Sequence, residues 1–172
     1  MYISQRGDLQ PVTVEWLQPV PWQLWATLKF PYRAAQDSAR HKFDEMANSI
    51  ERSIRSRLCY VYAAEQRDRS GVVGVPLHIH AAFASLKTLT PQLVAGMWIG
   101  GVGRRDSVAS DLARVEPYDP SKDGLAYIVK QIGYADTQLD YKDIDRFSGS
   151  PLSDRVQLRE ARRWQEQLVG PL

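Results

Sequence analysis

"CYVYAAEQRDRSGVVGVPLHIHAAFAS", residues 59–85, is the stretch whose reading decides the fold. Residues 59–68 are rich in β-branched, aromatic and small side chains, and residues 76–85 alternate in the manner of a strand. The glycines at 71 and 74 mark a turn or hairpin loop over residues 69–75. The two runs therefore form an antiparallel hairpin. On the first strand Val61, Ala63 and Glu65 share one face and Tyr60, Tyr62 and Ala64 the other. On the second, Leu77, Ile79, Ala81 and Phe83 point to a core, and His78 and His80 lie side by side on the opposite face with Ala82 and Ala84.

Working outward, residues 22–30 ("WQLWATLKF") alternate, with Leu24, Ala26, Leu28 and Phe30 on one side, and Pro31 ends that strand. A long amphipathic helix follows over residues 35–58. Its apolar positions Ala39, Phe43, Met46, Ala47, Ile50 and Ile54 recur at three- and four-residue steps. Arg52, Arg55 and Arg57 are placed near its C-terminal end, where they complement the helix dipole. Thr90 is an N-cap with Pro91 at the first helical position, and that helix is expected to end at Gly100 and Gly101. Residues 106–118 read as an irregular segment with a strand. Asp123 and Gly124 open a helix that runs to Gly133. The order is strand, helix, strand, strand, helix, strand, helix. This predicts an α+β fold with a central, mainly antiparallel sheet and flanking helices. Residues 1–21, with three prolines, read as an N-terminal arm carrying a short strand near Val12–Trp16. Residues 22–140 form the main domain. Residues 141–172 form a polar tail with a helical stretch over residues 156–168.

The chain has 172 residues, a formal net charge of +2 and one cysteine. This suits one globular domain and excludes an internal disulfide or a cysteine-rich zinc site. No apolar run approaches about 18 residues, and the N-terminus has no signal-peptide pattern, so no membrane partner and a cytoplasmic location are expected.

Chemistry concentrates on two groups. Only three histidines occur, and two of them are His78 and His80. Alone they suit a partly exposed strand face as well as a metal site. Glu65 alone suits a solvated strand end. Together, across a hairpin, they form a two-imidazole, one-carboxylate donor set suited to Mg²⁺ or Mn²⁺ acting as a Lewis acid. The small Ala82 and Ala84 would leave room for a substrate. The second group is "AYIVKQIGY". Tyr127 and Lys130, three apart on a helix, share a face, while Ala126, Val129 and Ile132 form its apolar side. Tyrosine can act as a covalent nucleophile, and a nearby lysine can favour the phenolate or neutralise a phosphate. Taken alone, Tyr-x-x-Lys reads as an ordinary half-buried tyrosine.

In this order "LWATLKF", "PLHIHAAF" with Glu65 upstream, and "YIVK" resemble the three motifs of the HUH endonucleases. The resemblance, over residues 22–134, is to the single-tyrosine rolling-circle replication initiators (Rep proteins). It implies a ferredoxin/RRM-like sheet with the histidines on a central strand. It further implies that His78, His80 and Glu65 hold a divalent metal that polarises a scissile phosphate. Tyr127 would then attack single-stranded or hairpin origin DNA, become linked to the 5′ phosphate and release a 3′ hydroxyl. Lys130 would position or neutralise the phosphate. Tyr134 reads as structural. The chain has no Walker-type phosphate loop, so a separate host helicase and polymerase are the expected partners. Arg67, Arg69, Arg104 and Arg105 are candidate DNA contacts, as are Arg155, Arg159, Arg162 and Arg163; each also reads as a solvated surface residue. Trp22, Trp25 and Trp98 suit base stacking or core. A single-tyrosine transposase of the same superfamily and a non-catalytic, ferredoxin-like nucleic-acid-binding module are the alternatives.

Overall fold

The computed structural model describes residues 5–67, 73–103, 109–130 and 138–148. Its centre is a five-stranded antiparallel sheet in the order β4-β1-β3-β2-β5. The strands are β1 (Leu24–Lys29), β2 (Leu58–Arg67), β3 (Val73–Ser85), β4 (Ala113–Pro117) and β5 (Gln138–Lys142). The expected α+β class is what the chain adopts. The helix α2 (Gln36–Ile54) links β1 to β2, and α3 (Pro91–Val102) precedes β4. Each connection crosses over a strand that lies between its two ends, and connections of one hand put both helices on the same side of the sheet. That side holds the main core. Leu24, Ala26, Leu28, Tyr60, Tyr62, Ile79, Ala81 and Phe83 meet Phe43, Met46, Ile50, Val94 and Trp98 there. The Phe43 ring lies 4.0 Å from that of Tyr62 and 5.8 Å from that of Phe83.

The other side of the sheet is built differently from the expectation. Residues 5–17 form a helix, α1 (Gln5–Leu17), where an arm with a short strand was expected. Pro11 sits inside it and removes one backbone donor. Burial of Trp16, Leu17 and Val20 outweighs that loss. The helix rests, with α5 (Gly124–Val129) and α6 (Ile144–Ser148), on Cys59, Val61, Ala63, Ala82 and Ala84. Ala82 and Ala84 are therefore floor beneath helices, fully buried, and leave no space for a substrate. The histidine-bearing face is thus a second core at one end and open only at the other.

Smaller differences have local causes. The helix α2 stops at Ile54 rather than residue 58, because Arg55 turns left-handed at φ 51° and Glu51 Oε1 accepts the Leu58 backbone N–H at 2.9 Å. Of the three arginines expected at its end, only Arg52 lies in the helix. Helix α3 runs through Gly100 and Gly101 to Val102, whose side chain is buried; that contact outweighs a helix penalty of about 1 kcal/mol per glycine. Within the segment expected to be irregular with a strand, a short helix, α4 (Ala109–Leu112), precedes β4. The expected boundary at residue 140 falls within β5, which pairs with β2 from Tyr60↔Lys142 to Ala64↔Gln138. The helical stretch expected over residues 156–168 lies outside the described residues, and among the described residues no helix is long and apolar enough to cross a membrane.

The predicted N-cap of α3 is present: the Thr90 hydroxyl accepts the Leu93 N–H at 3.3 Å. Thr90→Ala is expected to cost about 1 kcal/mol, read as a lower urea midpoint at unchanged slope.

Candidate metal centre and tyrosine

Pairing of β2 with β3 sets Glu65 directly opposite His78 and Ala63 opposite His80. The period of two then puts both imidazoles and the carboxylate on one face. His78 Nε2 lies 3.4 Å and His80 Nε2 3.2 Å from Glu65 Oε1. One donor atom from each residue falls within 4.8 Å of the others, and this is the group of three able to hold a metal ion among the described residues. The register of β2 breaks just beyond, between Glu65 and Arg67, so the strand bends away past the site.

The donor chemistry fits a cation. His78 Nδ1 lies 3.1 Å from the Pro76 carbonyl. A carbonyl only accepts, so Nδ1 carries a hydrogen, and in the neutral ring Nε2 presents a lone pair to the site. His80 Nε2 and Glu65 Oε2 are buried and have no hydrogen bond of acceptable geometry among the described residues. Lone pairs converging on a carboxylate repel one another unless a positive charge lies among them. Burial lowers the pKa of His80, the largest influence on it, and so keeps its imidazole neutral. Burial by itself would raise the pKa of Glu65, but donation and positive charge from the imidazoles in their protonated form outweigh it and hold the carboxyl down at about 2, so the carboxylate is ionised. A neutral imidazole beside an ionised carboxylate is the metal-binding form.

Helix α5 delivers the tyrosine. A 3-10 turn over Pro120–Lys122, in which the Asp119 side chain accepts the Ser121 N–H, leads into Asp123 at φ 50° and then Gly124. Leu125, Ile128 and Val129 are buried against the sheet. This leaves Tyr127 on the side of the histidines, donating its hydroxyl hydrogen to Glu65 Oε1 at 3.2 Å. Its ring packs edge-on against His80 at 4.6 Å, and Lys130 Nζ stands 3.3 Å from the ring centroid. The expected pairing of Tyr127 with Lys130 on one helix face is what the geometry gives. The expected apolar side is displaced, because Ala126 is exposed and its place is taken by Leu125 and Ile128. The helix closes at Lys130, whose N–H donates to Ala126 O, and Gln10 Nε2 of α1 donates to the Lys130 carbonyl at 2.7 Å.

Five candidate residues thus come together: Glu65, His78, His80, Tyr127 and Lys130. Arg67 ends β2. Its side chain, together with Arg69, Arg104, Arg105, Tyr134, Ile132 and Arg155, Arg159, Arg162 and Arg163, lies outside the described residues. Trp22 and Trp98 are core, their indole N–H groups donating to Leu17 O and Lys29 O. Trp25 is half-buried and lines an open cleft of about 1140 Å³ beside the histidines, with Thr27, Lys29, Arg114, Tyr118 and Lys122. The sequence reading gave no role to the last five. For Thr27 and Lys29 the signal was the outward half of the β1 alternation; Arg114, Tyr118 and Lys122 reach the cleft only because β4 pairs with β1 across about ninety residues of sequence.

Gly124 is at N1 of α5, and a Cβ there would meet the Trp25 ring at 3.0 Å. Gly124→Ala is expected to displace Trp25 and cost about 1–3 kcal/mol despite the better helix propensity of alanine, with a shift in tryptophan emission accompanying the lower midpoint.

Comparison with protein-family models, curated proteins and solved structures gives no match to this chain.

Proposed function

We propose that the chain nicks and rejoins single-stranded DNA through a covalent link to Tyr127, in the manner of a rolling-circle replication initiator. The observation that carries this reading is the position of the Tyr127 hydroxyl. It lies 3.2 Å from the same carboxylate oxygen on which both imidazole Nε2 atoms converge. A nucleophile and a metal centre that share an oxygen can address one phosphate.

Glu65, His78 and His80 would hold Mg²⁺ or Mn²⁺, which supplies a Lewis acid for a phosphoryl oxygen. Tyr127 Oη attacks phosphorus, the bond from phosphorus to the 3′ oxygen breaks, and a 3′ hydroxyl and a 5′-phosphotyrosine result. The ester link keeps the bond energy, so a second attack by a 3′ hydroxyl reverses it without ATP. Lys130, against the tyrosine ring, offsets negative charge as it builds beside the site. The cleft would take an extended single strand chiefly by stacking: Trp25 and Tyr118 present rings, while the cations Lys29, Arg114 and Lys122 stand among the carboxylates of Asp111, Glu116 and Asp119. Glu116 lies 3.0 Å from Arg114 and 3.8 Å from Lys122 and offsets both, so the metal carries much of the positive charge offered to the phosphate. A single-tyrosine transposase uses the same chemistry, and the DNA that is cut distinguishes the two.

The test is a denaturing gel of the protein with single-stranded and hairpin oligonucleotides, including DNA from the native locus, in Mn²⁺ or EDTA. A protein–DNA band in Mn²⁺ that EDTA removes is the expected result. Binding of the same DNA with no covalent band in either condition would replace the enzyme by a binding module.

A further inference from the structure

We propose that Thr27 is a positioning residue that sets the tautomer of His80 and so turns its Nε2 lone pair toward the metal centre. The inference rests on the metal reading of Glu65, His78 and His80. Thr27 lies on β1, directly opposite His80 on β3. Its Oγ1 is 3.2 Å from His80 Nδ1. Two arrangements satisfy that distance. Either the hydroxyl donates to a bare Nδ1 and the imidazole hydrogen sits on Nε2, or Nδ1–H donates to the hydroxyl and Nε2 is bare.

The surroundings decide between them. Nε2 is buried, and although Glu65 Oε1 is 3.2 Å away, the ring is not aimed to donate to it. A hydrogen on Nε2 would be a buried donor without a partner of good geometry, which costs about 1–3 kcal/mol. A hydrogen on Nδ1 has Thr27 Oγ1 as acceptor. The neighbouring imidazole is already in that state, since His78 Nδ1 can only donate to the Pro76 carbonyl. Both rings then point bare Nε2 atoms to one place, one oriented by a backbone carbonyl and the other by a threonine hydroxyl. Outer partners of this kind are what fix the orientation and basicity of metal-bound imidazoles. In the Nδ1–H state the Thr27 hydroxyl keeps its own hydrogen to donate within the cleft that the residue lines.

Thr27→Val keeps the shape and the β-branching that suit the strand and removes only the acceptor. Thr27→Ser keeps the acceptor. The measurement is two-part: ¹⁵N-detected imidazole NMR of the metal-free protein, and Mn²⁺ affinity by titration. We expect wild-type His80 to carry its hydrogen on Nδ1. Thr27→Val should move it to Nε2 and weaken Mn²⁺ binding about 10–100-fold, and Thr27→Ser should bind within about threefold of wild type. A wild-type hydrogen on Nε2, or a Thr27→Val protein that binds Mn²⁺ as wild type does, overturns the proposal. A wild type that keeps the Nδ1 hydrogen yet binds no Mn²⁺ supports the tautomer assignment and removes the metal reading of the site, so the two failures are distinct.

Discussion

Tyr127→Phe is expected to abolish covalent capture of DNA, by about 10⁴-fold or more, while Mn²⁺ still binds. The nucleophile is the one atom removed, and a displacement cannot be completed without it; losses of this order follow when a covalent nucleophile is deleted. The ring itself stays useful. Its edge-on contact with His80 at 4.6 Å and its neighbour Trp25 at 6.4 Å do not need the hydroxyl. What the fold loses is the hydrogen bond to Glu65, a half-buried contact to an ionised acceptor, so the folded state should weaken by no more than about 1.5–3 kcal/mol. The gel described above, run beside a thermal melt, separates the two effects. An adduct of wild-type strength in the variant would move the nucleophile elsewhere, with Tyr134 the next residue to replace.

The second large effect is expected at Glu65. Glu65→Gln keeps the size and one carbonyl oxygen but removes the only anionic donor of the group. Loss of a group that only orients a ligand already costs metal sites about 10–100-fold, so loss of the charged ligand itself should exceed about 100-fold. Wild-type protein with Mn²⁺ at a hundred times its dissociation constant gains about 2.7 kcal/mol of stability, which for a chain of this size raises Tm by several degrees. The Glu65→Gln protein should show almost none of that rise. The residue is 1 % exposed, so the metal-free variant is compared with metal-free wild type to separate folding from binding. A full Mn²⁺-induced rise in Glu65→Gln would exclude the carboxylate as a ligand and leave the histidines as a structural pair.

Much of this site was legible because its three donors depend on short-range rules. A period of two puts His78 and His80 on one face, and a hairpin puts Glu65 opposite them. Tyr127 and Lys130 depend on helical spacing alone. Other features depend on distant partners. The helix α1 carries Pro11 and an irregular apolar pattern, and only the burial of Trp16 and Leu17 under α5 and α6 shows why it forms. The strand β5, "QLDYK", has little strand character of its own; it is a strand because the edge of β2 offers it a ladder. Ala82 and Ala84 looked like open space because small side chains suit both a cavity and the underside of a helix. Thr27 was hidden for a related reason: its partner His80 is 53 residues away, and register between β1 and β3 is not written locally in either.

The place of β3 in the sheet has a consequence for motion. Residues 78–83 of β3 pair with β1 on one side and β2 on the other, and both cores press on the strand. Amides so placed exchange with solvent deuterium only when the whole domain opens, whereas those of short peripheral elements exchange through local fraying. The imidazoles therefore sit on a segment whose amides are expected to exchange slowly, and Tyr127 on a six-residue helix whose amides are expected to exchange earlier. On the proposed chemistry, the half of the site that would hold the metal is expected to open only with the whole domain, and the half that carries the nucleophile more often.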